Sequence, residues 1–116
     1  MLVKLMKSKL HRGRVTETRL HYPGSIEIDE ALMEASGIVP YEAVLVANLN
    51  NGSRLETYAV PAEARSGQIV ILGAAANLAE PGDIVIIMAF GLMTPEEATK
   101  HKPTVLVLDE KNQVIQ

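Results

Sequence analysis

The segment His21-Tyr22-Pro23-Gly24-Ser25 runs straight into the strand-like Ile26-Glu27-Ile28 and holds the residues best suited to chemistry in this chain. Read alone, Pro23-Gly24 is an ordinary type II β-turn. Glycine followed by serine at a tight turn also meets the needs of backbone self-cleavage. Glycine reaches conformations barred to other residues, so the carbonyl of Gly24 can be turned toward the Ser25 hydroxyl. Attack by that hydroxyl replaces the peptide bond with an ester. β-Elimination of the ester leaves dehydroalanine, whose hydrolysis releases ammonia and leaves a ketone at the new N-terminus. Such a pyruvoyl group is an electron sink resembling pyridoxal phosphate.

Other chemistries are excluded by residue type and spacing. There is no Walker loop, no Gly-x-Gly-x-x-Gly and no His-Glu-x-x-His. His11, His21 and His101 do not fall at helical ligand spacing and no carboxylate pair supports them, so no metal site is expected. His101 reads as a surface or hydrogen-bonded histidine. The absence of cysteine removes disulfides, thiolate metal sites and thiol catalysis. Eleven Lys+Arg against fourteen Asp+Glu leave a charge of −3 with no long basic block, which argues against a nucleic-acid partner. One Phe, three Tyr and no Trp provide no base-stacking platform. No apolar run approaches the roughly 20 residues that span a bilayer. The apolar stretch near Met1 is too short for a signal peptide, so a cytoplasmic protein without a membrane partner is expected.

The elements that must position Gly24 and Ser25 are short strands punctuated by turns. A chain of 116 residues is a single domain, 1–116. Strand character recurs at Leu2 to Met6, Arg14 to Thr18, Ser25 to Asp29, Ala43 to Leu49, Arg54 to Val60, Gln68 to Leu72, Ile84 to Phe90 and Thr104 to Leu108. The apolar runs Ile84 to Ala89 and Val105 to Leu108 have the pattern of strands covered on both faces. Asn51-Gly52 signals a type I′ hairpin, and Pro81-Gly82-Asp83 a second turn. Asp29 can cap a helix over Glu30 to Ser36 that stops at Gly37. Thr94-Pro95-Glu96-Glu97 reads as a capping box that starts a helix ending near His101. Lys111 to Gln116 has little to pack against and is expected to fray. Six to eight short strands and two small helices predict a mainly β compact barrel, its core built from Val, Ile, Leu, Ala and Met.

Lys9, His11-Arg12, His21-Tyr22-x-Gly24-Ser25, Asn51-Gly52-x-Arg54, Thr57-Tyr58 and Gly73-Ala74-Ala75-Ala76 resemble, in order and spacing, the motif series of pyruvoyl-dependent aspartate 1-decarboxylases. The resemblance continues through Pro81-Gly82-Asp83 to Pro95-Glu96-Glu97-Ala98. It implies a double-psi β-barrel with two or three short helices, assembled as a homotetramer with active sites between subunits. The implied reaction converts L-aspartate to β-alanine and carbon dioxide for pantothenate and coenzyme A synthesis. It follows autocatalytic cleavage into residues 1–24 and 25–116.

By the same resemblance, Ser25 becomes the covalent pyruvoyl group that takes the substrate amine, and Tyr58 returns the proton after decarboxylation. Thr57, Gly73, Ala74 and Ala75 bind substrate; Arg54 and Lys9 neutralise its carboxylates; His11 and Tyr22 line the site. The residue types suit these tasks. A guanidinium grips a carboxylate bidentately, so Arg54 fits the β-carboxylate that survives. A phenol can donate a proton at pH 7, where a carboxylic acid is ordinarily ionised. Small residues at 73 to 76 let backbone N–H groups approach a ligand.

Thr57 and Tyr58 are successive strand residues, which point to opposite faces, so both serve one site only through a bend, the backbone or a subunit boundary. Leu72 stands where the family carries asparagine, and Asn77 where it often has histidine; leucine can neither donate nor accept a hydrogen bond. Two other classes stay open on the residues alone. One is an unprocessed, non-catalytic barrel relic or small oligomeric binding module. The other is a barrel-type transcriptional regulator, against which the acidic net charge counts.

Overall fold

In the computed structural model, which describes Met1–Gln116, strands dominate. They are β1 (Val3–Arg14), β2 (Glu17–Arg19), β3 (Ser25–Asp29), β4 (Ala43–Asn48), β5 (Arg54–Ala62), β6 (Ile69–Leu72), β7 (Ile84–Met93) and β8 (Thr104–Val107). Two short α-helices, α1 (Glu30–Ser36) and α2 (Pro95–Lys100), and a 3-10 helix at Gly73–Leu78 complete the chain. One eight-stranded sheet runs in the order β2-β6-β3-β5-β4-β7-β1-β8. β3 lies antiparallel to β6 and parallel to β5, and β2 is parallel to β6. This mainly β arrangement fits the double-psi barrel.

Alternation along the strands builds the core. Ile26, Ile28, Ile69, Ile71, Ile87 and Leu10 are fully buried within one cluster of 17 residues that contains no aromatic ring. Each such side chain contributes roughly 1.5–3 kcal/mol on burial. Beneath the sheet's far end, the Asp29 carboxylate is buried and accepts backbone N–H groups of Ala31, Arg65 and Gly67 at 2.8, 2.8 and 2.9 Å. It therefore caps α1, as its sequence position predicts, and also fastens the loop before β6 to the end of β3. The capping box at Thr94 forms too, and its N–H and hydroxyl hold the Glu97 carboxyl below the usual carboxylate range. His101 is hydrogen-bonded, its Nε2 donating to the Met6 carbonyl at 2.7 Å.

Several expectations are corrected. The C-terminal segment does not fray. Asn112 is buried, accepts the Arg14 N–H at 2.7 Å and donates to the carbonyls of Arg14 and Gly67. Those bonds, with Leu108 bridged to Val114, give residues 111 to 116 the partners that their composition did not suggest. The type I′ turn is absent. Gly52 is left-handed at φ 75° but Asn51 is not, and the wider turn closes with the Gly52 N–H on the Asn48 carbonyl at 2.9 Å. The first strand runs on through His11 to Arg14, because a bulge at left-handed Arg12 lets it bend and keep pairing with β7. The apolar runs of β7 and β8 are covered on one face only; Val105 is exposed, and alternate residues of β7 are half-buried.

Candidate active site

Ser25 opens β3 and is paired with Leu72, the last residue of β6. Opposed residues of an antiparallel pair project to one face. The next pair, Ile26 and Ile71, is sealed in the core, so Ser25 and Leu72 project to the outer face of the sheet. Across β3, Ile26 is in register with Ala59 of β5, which sets Tyr58 beside Ser25 on that same outer face. Ser25 is nonetheless only 5% exposed and Leu72 8%, and Leu72 lies outside the core cluster.

The backbone of the Gly24–Ser25 bond rests on Gly73. A Cβ at residue 73 would stand 2.6 Å from Gly24 Cα, 2.9 Å from Gly24 N and 3.1 Å from the Tyr22 carbonyl oxygen, and Gly73 has φ 82°. Only glycine fits both the space and the left-handed backbone. Gly24 itself is not left-handed, so the type II turn does not form. A Cβ there would meet only the Leu72 carbonyl oxygen, at 3.9 Å. In the uncut chain the steric need for glycine therefore falls on residue 73.

The 3-10 helix that begins at Gly73 is uncapped at its start, where Leu72 supplies no side-chain bond. Its end is firmly held. The Leu78 carbonyl accepts from Asn48 Nδ2 at 3.2 Å, Asn51 Nδ2 at 2.8 Å and Ser53 Oγ at 3.2 Å. The β4–β5 turn thus anchors the segment carrying Ala74 and Ala75. On the other flank, Arg19 is in register with Leu72, pairs with Glu17 and lies 5.4 Å from the centre of the Tyr22 ring. The hydrogen bond that Arg19 donates to the Glu17 carboxylate raises the Arg19 pKa above its ordinary value.

One chain brings together Tyr22, Gly24, Ser25, Tyr58 and Gly73, with Ala74 and Ala75 following directly. It does not bring in the rest. Thr57 shares the inward parity of Leu55 and Ala59, opposite to Tyr58, and β5 runs unbroken through both. Arg54 lies four residues from Tyr58, roughly 13 Å along a strand. Lys9 and His11 sit on β1, with β5, β4 and β7 between it and β3 in the ladder. The chain's ion pairs are Lys7–Glu42 and Glu17–Arg19, which leaves the cations of Lys9 and Arg54 unpaired. His11 Nδ1 is sealed from water without a hydrogen-bond partner. No three His, Asp or Glu side chains are grouped as a metal ion needs. No helix is long and apolar enough to cross a membrane.

The concavities of the single chain lie elsewhere. One of about 320 Å³ runs under α1 beside Met33 and Pro61, one of about 420 Å³ lies among Asn50, Asn77 and Asp83, and one of about 140 Å³ lies between Lys4, Leu45 and Phe90. None is lined by Ser25, Tyr58 or Gly73, so the convergent residues line no pocket within one chain; Ser25 and Gly73 are buried and Tyr58 is partly exposed. Two contributors escaped the sequence reading. Asn48 anchors the 3-10 helix through a bond that only the fold reveals. Tyr41 stacks near Tyr58 with ring centres 6.2 Å apart, placed there by a left-handed φ that no residue pattern announces.

The family model described as aspartate decarboxylase matches residues 1–115. The chain is 53% identical over 114 residues to an aspartate 1-decarboxylase of Salinibacter ruber, covering 98% of this chain and 78% of that protein. It is 52% identical over 116 residues to the Bacillus cereus aspartate 1-decarboxylase, covering 100% of this chain and 91% of the relative. The Caldicellulosiruptor saccharolyticus aspartate 1-decarboxylase is 51% identical over 115 residues, 99% of this chain and 90% of its own length.

Proposed function

The chain belongs to the aspartate decarboxylase family, and from that premise we propose that it removes the α-carboxylate of L-aspartate as carbon dioxide to leave β-alanine. We further propose that it first cuts itself between Gly24 and Ser25, into residues 1–24 and 25–116. The observation that carries the reading is the close fit of the Gly24 backbone on Gly73, with Ser25 and Tyr58 side by side on one face.

The residues fit the group that the family implies. Ser25 would hold a pyruvoyl group covalently, almost out of water, on a face where Leu72 adds an apolar neighbour and Gly73 leaves no side chain in the way. When present, that group supplies an electron-withdrawing ketone beside the substrate's α-carbon. The chain's own residues bind, orient and protonate. The unpaired Arg54 guanidinium suits the β-carboxylate, which survives, and Lys9 adds positive charge to attract a dianion. Firm grip belongs on the β-carboxylate alone, since stabilising the departing one in the ground state opposes reaction. The small residues Gly73, Ala74 and Ala75 place no bulky side chain between their backbone N–H groups and a ligand, although Gly73 itself is buried against Gly24. Tyr58 holds the proton destined for the α-carbon.

Thr57, Arg54, Lys9 and His11 do not join this face within one chain. Their role in one site is most simply met by a homotetramer in which a neighbouring subunit brings them. The half-covered apolar faces of β7 and β8 support such assembly. A cytoplasmic location accords with the reaction. The test is an intact-mass measurement of the purified protein together with carbon dioxide release from L-aspartate. Two fragments meeting at residues 24 and 25, with release of gas, support the reading; one intact inert chain supports the unprocessed binding module.

Leu72→Asn is expected to speed the cut. Negative charge develops on the Gly24 carbonyl oxygen during attack, and a preorganised donor there is worth roughly 2.7–4 kcal/mol. The amide also fits the uncapped start of the 3-10 helix, a cap worth about 1 kcal/mol. If Leu72 matters only for packing, the variant cuts at the wild-type rate and melts lower by the cost of a buried unpaired amide, about 1–3 kcal/mol. A time course of uncut chain run beside a thermal melt separates the outcomes.

A further inference from the structure

Tyr41 is a large aromatic side chain, 76% exposed, on a backbone that non-glycine residues seldom adopt, φ 70°. Three ties impose that backbone. The Tyr41 N–H donates to the Ala59 carbonyl at 2.7 Å, and the Ala59 N–H donates to the Glu42 carbonyl at 3.0 Å, which extends the β4–β5 ladder beyond the Ala43–Tyr58 pair. The Glu42 N–H closes a turn on the Val39 carbonyl at 3.1 Å. The Glu42 carboxylate holds the same turn, accepting from the Val39 N–H at 3.0 Å and from Lys7 Nζ at 2.9 Å. A turn locked this way delivers the Tyr41 ring to the Tyr58 ring, with centres 6.2 Å apart and planes inclined by 34°. That separation falls in the range where aromatic pairs attract and prefer defined orientations.

Tyr58 needs such a neighbour. It stands on the outer face of β5, 37% exposed, away from the core cluster that fixes Ala59. A phenol that returns a proton to one carbon must point one way, and loss of alignment of about an ångström can cost roughly 10²-fold.

We propose that Tyr41 is a positioning residue that sets the orientation of the Tyr58 phenol, the inference resting on the reading of Tyr58 as the proton donor. The Tyr41 hydroxyl has no part in it; the ring does. Tyr41→Gly suits the left-handed backbone and so preserves the turn. It is expected to lower kcat per processed chain by roughly 10- to 10²-fold while KM for L-aspartate stays within about twofold. Tyr41→Phe, which keeps the ring, is expected to restore wild-type kcat. The chain has only three tyrosines, so NMR of tyrosine-labelled protein reads the pair directly. Tyr58 ring resonances are expected to shift in Tyr41→Gly and to hold in Tyr41→Phe. Wild-type kcat in Tyr41→Gly overturns the inference, as does an equal loss in both variants or an unmoved Tyr58 spectrum. Failure of the underlying reading shows separately, as unchanged turnover in Tyr58→Phe.

Discussion

Ser25→Ala is expected to leave a single chain of 116 residues and no carbon dioxide release above background. The hydroxyl is the only part of residue 25 that can attack the Gly24 carbonyl, and alanine keeps the backbone, the β-carbon and the pairing with Leu72. Ser25 is almost fully buried, so exchanging it for the slightly smaller and less polar alanine leaves the strand geometry alone. A melt matching wild type would show the fold intact, and intact mass would then report on chemistry alone. If that folded variant is still cut after residue 24, the hydroxyl is not the nucleophile and the proposed origin of the ketone fails.

Where local chemistry ruled, the sequence was legible. Asp29 and Thr94 cap their helices because a short acceptor before a helical run has few other uses, and both caps appear where their spacing puts them. The apolar run within Gln68 to Leu72 read as a strand, and Ile69–Leu72 forms β6 with all four residues buried. Long-range partners were not legible. Asn112 finds Arg14 across 98 residues of chain, so nothing in the polar tail hinted that it would be held. The Asn51-Gly52 pair promised a two-residue turn, but Asn51 spends its amide on the Leu78 carbonyl, and a wider loop results.

The site divides along the same line. The motif around Gly24 and Ser25 named the bond, yet the close packing that constrains it comes from Gly73, nearly fifty residues on, through the pairing of β3 with β6. The conflict between Thr57 and Tyr58 was visible in strand parity. The fold keeps it: Tyr58 faces outward beside Ser25 and Thr57 faces inward. The residues that share one face within a chain are those attached to β3 and its two ladder neighbours. Of those left out, Lys9 and His11 lie on β1, Arg54 lies at the far end of β5 and Thr57 faces inward, which is why the proposed reading brings in a second subunit.

Tyr58→Phe is expected to mature normally and then lose roughly 10²–10⁴-fold in turnover, the range for a positioned acid. Maturation should survive because the self-cleaving step draws on the Ser25 hydroxyl and the Gly24 carbonyl, and phenylalanine fills the same outer-face position beside Tyr41. Substrate affinity should change little, since the carboxylates are assigned to Arg54, Lys9 and the backbone at residues 73 to 75. The loss therefore belongs in kcat, with KM for L-aspartate nearly constant, the signature of an interaction made mainly in the transition state. Carbon dioxide release and β-alanine formation should be followed separately on a sample whose processed fraction is known from its mass. Both rates falling together place the defect in completing the catalytic cycle. Gas release that outruns β-alanine formation would place it in the proton return itself and support the assignment more sharply. Turnover equal to wild type in a fully processed sample would remove Tyr58 from the chemistry. The proton would then have to come from water or from a group supplied by the neighbouring subunit.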